Sequence, residues 1–422
     1  MALNKVVASI GMLGVAKLAQ LGFFFMAARV LGPGEFGYLS VGLGLTLIFG
    51  QAANFGWPLT ILRLVPRYQK KNQRLRVAQM KTVSVTFVLG ASLLFTLFAA
   101  GGIFYYGNSA LTSMSTVVAA TLLPNAVRRV YRQKLAAYGR SATAFFLDEF
   151  VPYATSAVLV FLLAALNLGN TQVLAIDVGI VVGCSHLLAL VFIVIAEHIV
   201  CGDIEWSYPP RRIFKAWIRS AGGYSVGLVS QALISRSDSV FLPAYVSSVT
   251  LGLFGAAQKL AILITLPQVA INAALNPLIS AKSKEGSDLR ELALFFFSAS
   301  FFFSSFVGVI LWLTSPFLIA LLFGEDFAGA IILSKLLIIC YFVQALTMAA
   351  ASFCSMSNYF NRFAAIYAKS VAVIVVGCIL LMPRYGAYGL IISLLVSQIY
   401  CLSRFLIYSR RAVIESKLEG GW

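Results

Sequence analysis

The chain has 422 residues, of which 60% are hydrophobic and only 11% charged. Soluble domains carry roughly 25% charged residues, so a water-soluble globular protein is excluded. The net charge of +17 does not point to nucleic acid, because the cations gather between apolar runs, where an anionic membrane surface is partner enough.

Lys5 precedes an apolar run of about twenty-five residues, longer than the ~7–15-residue core of a signal peptide, and it is read as an uncleaved first membrane helix. Further runs follow, each able to cross a ~30 Å hydrocarbon core. The predicted spans are 6–31, 36–62, 79–105, 111–134, 142–166, 171–198, 213–243, 249–278, 288–313, 316–355, 362–382 and 386–409. The tenth is too long for one crossing, and its part up to Phe323 is expected to finish the ninth helix or form a short outer piece. The alternating pattern of a membrane β-barrel is absent, and lipid satisfies no free backbone group, so a helical bundle is expected. The fold class is therefore an all-α polytopic membrane protein with about 12 transmembrane helices.

With the N-terminus placed in the cytoplasm, 25 of 32 Lys and Arg fall on that side. Seven lie between the second and third spans (Arg63 to Lys81), and five between the fourth and fifth (Arg128, Arg129, Arg132, Lys134, Arg140). This bias predicts that both termini are cytoplasmic. The segment Trp206–Arg219, WSYPPRRIFKAWIR, mixes aromatics with cations and suits an interfacial linker. It divides the chain into an N-terminal lobe (1–200), a linker (201–212) and a C-terminal lobe (213–422). The halves resemble each other. RVLGPGEFGYLSVGLGL from Arg29 aligns with AYVSSVTLGLFGAAQKL from Ala244, and Arg140 aligns with Arg362, at offsets of 215 and 222 residues. A parallel repeat of two six-helix lobes is the layout of many transporters, with the substrate path between the halves.

Enzyme signatures such as HExxH, GxSxG or a Walker loop are absent, and the chain has two histidines and six scattered cysteines. No metal spacing emerges, and no cofactor or catalytic residue is assigned. His186 is read as a hydrogen-bonded structural residue.

The informative residues are charges within the spans, since one at a helix centre costs about 2.5–3.5 kcal/mol to insert. Lys17 and Lys259 lie near mid-depth of the first and eighth spans, too deep for a lysine chain to reach headgroups, so a watery interior is expected around them. Arg236 and Asp238 sit two apart in the seventh span; that spacing does not share a helix face, so they need not pair. Lys335 and Lys369, nearer span ends, either snorkel or join the same interior. Asp148 and Glu149 lie two turns into the fifth span, and one of them is read as balancing Arg140. Pro58, Pro267 and the glycines at 222, 223 and 227 supply kink points. A cationic interior suits an anionic cargo, most economically a phosphate or pyrophosphate.

ARVLGPGEFG, ILRLVPRYQKK, AAYGR and SRSDSVFLPAYVSSVTLGLFGAAQKL, taken in order, resemble the polysaccharide-export flippases of bacterial O-antigen and exopolysaccharide pathways. These are relatives of the lipid II flippase and of multidrug-and-toxin extruders. The resemblance covers nearly the whole chain. It implies two six-helix lobes around a central cavity in the bacterial cytoplasmic (inner) membrane. It also implies that an undecaprenyl-pyrophosphate-linked oligosaccharide moves from the inner to the outer leaflet by alternating access, without enzymatic chemistry. Lys17, Arg236, Asp238, Lys259, Lys335 and Lys369 are the expected substrate contacts. The expected partners are that lipid-linked oligosaccharide, anionic phospholipids and a glycan polymerase or ligase of the same pathway. The fuller set of cavity arginines and the two further helices of the lipid II flippase have no counterpart, which favours a surface-glycan repeat unit as cargo. Two other readings stand beside this one: a drug or metabolite antiporter of the extruder type, which would want dominant intramembrane carboxylates, and an assembly protein that anchors a polymerase.

Overall fold

The computed structural model describes residues 2–106, 109–166, 173–202, 206–285, 289–356 and 360–419. Among these residues it contains helices and no strands. The first helical stretch, Ala2–Asn54, is interrupted at Gly32, whose φ of 69° and ψ of 174° lie outside the helical region. At ~1.5 Å per residue an unbroken helix of that length would span about twice the ~30 Å hydrocarbon core. Gly32 thus separates two crossings, α1 (2–31) and α2 (33–54). Pro33 begins α2, where a missing N–H costs nothing.

The second crossing ends at Asn54, eight residues before the predicted 62. Phe55 (φ 45°) and Gly56 (φ 75°) are both left-handed and stop it. A separate helix, α3 (Trp57–Lys70), starts at once, with Pro58 in its first turn rather than as a kink inside the second span. Trp57, Ile61 and Val65 are buried on one face, whereas Arg63 and Arg67 are exposed on the other. The residues expected to form a basic loop thus form an amphipathic helix.

Gly56 cannot be replaced. A Cβ there would stand 2.2 Å from the Ala221 carbonyl oxygen, in a left-handed backbone conformation that favours glycine. Gly56→Ala is expected to cost at least about 2 kcal/mol, strain and overpacking together, read as a lower thermal midpoint of the detergent-solubilised protein. An unchanged midpoint would show that the chain has another route past Ala221.

The remaining helices are α4 (Arg74–Tyr106), α5 (Ser109–Ala137), α6 (141–166), α7 (Ala175–Cys201), α8 (Arg211–Ser235), the short α9 (Ser237–Phe241), α10 (Ser248–Ala261), α11 (Thr265–Glu285), α12 (Arg290–Phe323), α13 (Ala330–Met356), α14 (Phe360–Tyr385) and α15 (Ala387–Glu419). Among the described residues, ten stretches are long and apolar enough to cross a membrane. The first holds two crossings at Gly32, and α8 with α9, less apolar, adds one more, which makes twelve. The long tenth run resolves as expected: α12 continues to Phe323 and ends at Gly324, so a new crossing begins with α13.

The chain divides into two compact units, 1–232 and 233–422, with the boundary inside α8. In the first unit α5 is central and packs against α7, α4 and the α1–α2 pair. Gly42 of α2 and Gly179 of α7 both approach Val117, with room for no side chain, and Thr46 shares a 2.8 Å hydrogen bond with Thr121. Close approach through small residues is how helices gain packing where lipid supplies no hydrophobic drive. In the second unit α13 packs against α10, α11, α12 and α15, while Ser370 and Ser397 join α14 to α15 at 2.7 Å. Outward side chains such as Phe98 and Leu313 are largely exposed, as lipid-facing positions should be.

Two cap assignments complete the frame. Glu35 accepts a 2.7 Å hydrogen bond from the Ala175 N–H and so caps α7. Ser247 caps α10, accepting from Thr250 N–H.

Candidate functional site

Arg128 and Arg132 are four residues apart on α5 and share a face. They meet two consecutive carboxylates of α6. Consecutive side chains on an α-helix diverge by about 100°, but residues 146–150 form a π-turn, whose wider winding brings Asp148 and Glu149 toward the same neighbours. Arg128 Nε donates to Asp148 Oδ1 at 2.6 Å. Arg132 Nη1 lies 2.8 Å from Asp148 Oδ2 and 3.3 Å from Glu149 Oε1. Lys17 of α1 closes the chain, with Nζ 2.7 Å from Glu149 Oε2 and 3.1 Å from Gln20 Oε1.

The network runs from the interior outward. The side chains of Arg128 and Asp148 are each 4% exposed, and that of Lys17 is 31% exposed. With Arg129, which donates to Asn125 Oδ1 at 3.2 Å, the group holds four cations against two carboxylates. Arg128 Nη1 is buried without a hydrogen-bond partner among the described residues. A buried donor left in this way costs free energy unless something accepts from it. His186 lies nearby in the same core, buried, with Nδ1 2.9 Å from the Val182 carbonyl oxygen and its ring edge-on to Tyr153. It is hydrogen-bonded, as expected.

The expectation that one of the two carboxylates balances Arg140 is thereby corrected. Arg140 is exposed beyond the end of α5, and the carboxylates pair with Arg128, Arg132 and Lys17. The five-cation connection shrinks too: Arg128, Arg129, Arg132 and Lys134 all lie within α5, and only Arg140 lies beyond it. Lys134 is buried beside Glu197 of α7, which also takes Lys81 Nζ at 2.9 Å.

In the second unit Arg236 and Asp238 form no ion pair with each other among the described residues but share a partner on another helix. The helix breaks at Arg236 (φ −126°, ψ 26°), so the usual rule for residues two apart does not apply. Both reach the buried Gln258 of α10. Its Oε1 accepts from Arg236 Nη1 at 3.0 Å, and its Nε2 donates to Asp238 Oδ1 at 3.0 Å. Lys259, the next residue, is 7% exposed. Lys335 stands on α13 with Nζ 5.8 Å from the Trp312 ring centroid, a cation–π contact. Lys369 is exposed on α14. Sequence reasoning missed the roles of Arg128, Arg132 and Glu197. The i, i+4 arginines facing a carboxylate pair one helix later were the available signal.

A family model described as "Polysaccharide biosynthesis protein" matches residues 2–282. The chain belongs to this family. A search of curated proteins gave no match. Among solved structures, an inward-facing multidrug resistance MATE family transporter of the MOP superfamily superposes with a TM-score of 0.76 at 15% identity, covering 98% of this chain and 99% of that one. An outward-facing one gives 0.70 at 14% identity, covering 98% and 96%. A MOP superfamily transporter from Pyrococcus furiosus, described as having a binding pocket of reverse polarity that suggests a different function, gives 0.69 at 14% identity over 98% and 96%. At such identities the likeness establishes the fold. This polysaccharide biosynthesis family member is thus a multi-pass membrane protein with a MATE-type transporter fold.

Proposed function

We propose that the protein is a flippase, moving an undecaprenyl-pyrophosphate-linked oligosaccharide repeat unit from the cytoplasmic to the outer leaflet of a bacterial inner membrane by alternating access. The family match to polysaccharide biosynthesis supports the cargo class. The observation that carries the reading is the excess of cations in the α1–α5–α6 network: four against two carboxylates, with a buried arginine donor left over. Guanidinium and ammonium groups in a half-dry setting suit a pyrophosphate, whose charge completes their pairing. Intramembrane carboxylates exist at Asp148 and Glu149, but each already faces a cation, which disfavours a cation-extruding antiporter. In this reading Lys17, Arg236, Asp238, Lys259, Lys335 and Lys369 contact the cargo as it moves.

The test uses full-length protein in proteoliposomes with a fluorescent polyprenyl-pyrophosphate oligosaccharide and measures its transfer between leaflets. Wild type is expected to accelerate transfer over protein-free vesicles. Lys17→Ala and Lys259→Ala are each expected to return it to background while folded protein yield stays normal. Wild-type rates in both variants would overturn the pyrophosphate assignment.

A further inference from the structure

We infer that the basic end of the first unit carries a specific site for the phosphate headgroup of an anionic phospholipid, set between α3 and α8. Two side-chain hydrogen bonds link the helices there. Trp217 Nε1 donates to Tyr68 Oη at 3.0 Å, and Arg63 Nη1 donates to Tyr224 Oη at 2.7 Å. Beside this joint lies an open cavity of about 440 Å³, within the range of small-molecule sites. Two arginines, Arg76 and Arg212, line it together with Tyr68, Trp217, Leu64 and Ile213.

The chemistry of the lining selects a phosphate. Arg76 directs one Nη1 donor to Gln79 Oε1 at 3.0 Å, and its remaining donors are available to the cavity. None of the ion pairs among the described residues involves Arg76 or Arg212. Tyr68 accepts from Trp217, so its own hydroxyl proton is left to donate. Arg212 is the second residue of α8, a 25-residue helix whose first-turn N–H groups add partial positive charge at the same place. Planar guanidinium forks above a helix N-terminus match the oxygens of a phosphate.

The surroundings select a lipid as its source. Leu64 and Ile213 give the cavity an apolar wall, which suits the glycerol and first acyl carbons rather than a free ion. Trp206 and Tyr208, next to it on the linker, are 61% and 67% exposed, as residues seated at headgroup level are. Arg67, Lys70 and Lys71 at the end of α3 and Arg211 and Lys215 at the start of α8 add further cations to the same two helix ends. An occupied site would tie α3 to α8 across the unit's basic end.

The test applies native mass spectrometry to the full-length detergent-purified protein, offered equal amounts of phosphatidylglycerol and phosphatidylcholine. Wild type should retain phosphatidylglycerol preferentially. Arg76→Gln with Arg212→Gln should weaken that preference roughly thirtyfold, and Arg212→Glu alone, at an exposed position that leaves folding intact, roughly tenfold or more. Arg404→Gln with Arg410→Gln removes the same charge elsewhere and should change little. Undiminished retention in the Arg76 and Arg212 variants would overturn the site. So would an equal loss in the control, which would mark unspecific surface charge. Displacement of the lipid by millimolar inorganic phosphate would overturn the lipid source and mark a free-phosphate site.

Discussion

Asp148→Ala should lower the stability of the folded protein by about 3–5 kcal/mol, because it strips a buried arginine of its counter-charge. Asp148 is 3% exposed and is the carboxylate that both Arg128 Nε, at 2.6 Å, and Arg132 Nη1, at 2.8 Å, address. After the change Arg132 keeps Glu149, but Arg128 is left charged in a dry core. For a unit of this size the loss corresponds to a thermal midpoint lower by roughly 10 °C. Arg128→Leu with Asp148→Leu removes the whole pair and is expected to recover most of that loss, since the desolvation cost goes with it. A midpoint unchanged in Asp148→Ala, or a double variant worse than the single, would show that the pair does not govern this core.

Glu197→Ala should be at least as damaging, again by about 3–5 kcal/mol, for a sharper reason. Glu197 is 1% exposed and is the shared partner of two ammonium groups, Lys81 and Lys134. Its removal leaves two like charges side by side, whereas Asp148→Ala leaves Arg132 paired. The three charges come from α4, α5 and α7, so loosening of these helices should appear as faster amide exchange in α7. Lys134→Met combined with Glu197→Leu restores much of the stability if the charge account is right. Equal melting of wild type and Glu197→Ala would refute it.

Both carboxylates illustrate what was and was not legible in the chain. Hydropathy alone placed the crossings, since apolar runs of membrane length admit few structures other than helices. The breaks at Gly32 and Gly324 were visible as glycines at the ends of such runs. The end of the second crossing was not, because Phe55 and Gly56 adopt left-handed conformations in the midst of residues that read as apolar helix. Arg128 and Lys134 read as a cytoplasmic connection because the apolar pattern fades around them. Their burial depends on Asp148 of α6 and Glu197 of α7, 20 and 63 residues further along the chain.

The sequence by itself determined the class of molecule, the helical crossings, the cationic bias and a family likeness that the match over residues 2–282 bears out. These follow from composition and from periods of one helix, which are local properties. Tertiary structure alone decided the pairings: Lys17 with Glu149, Arg236 with Asp238 through Gln258, Arg76 beside Arg212. A buried charge takes its partner from whichever helix packs against it, and no local pattern encodes that neighbour. The break at Arg236 and the π-turn at 146–150 then set which side chains reach across.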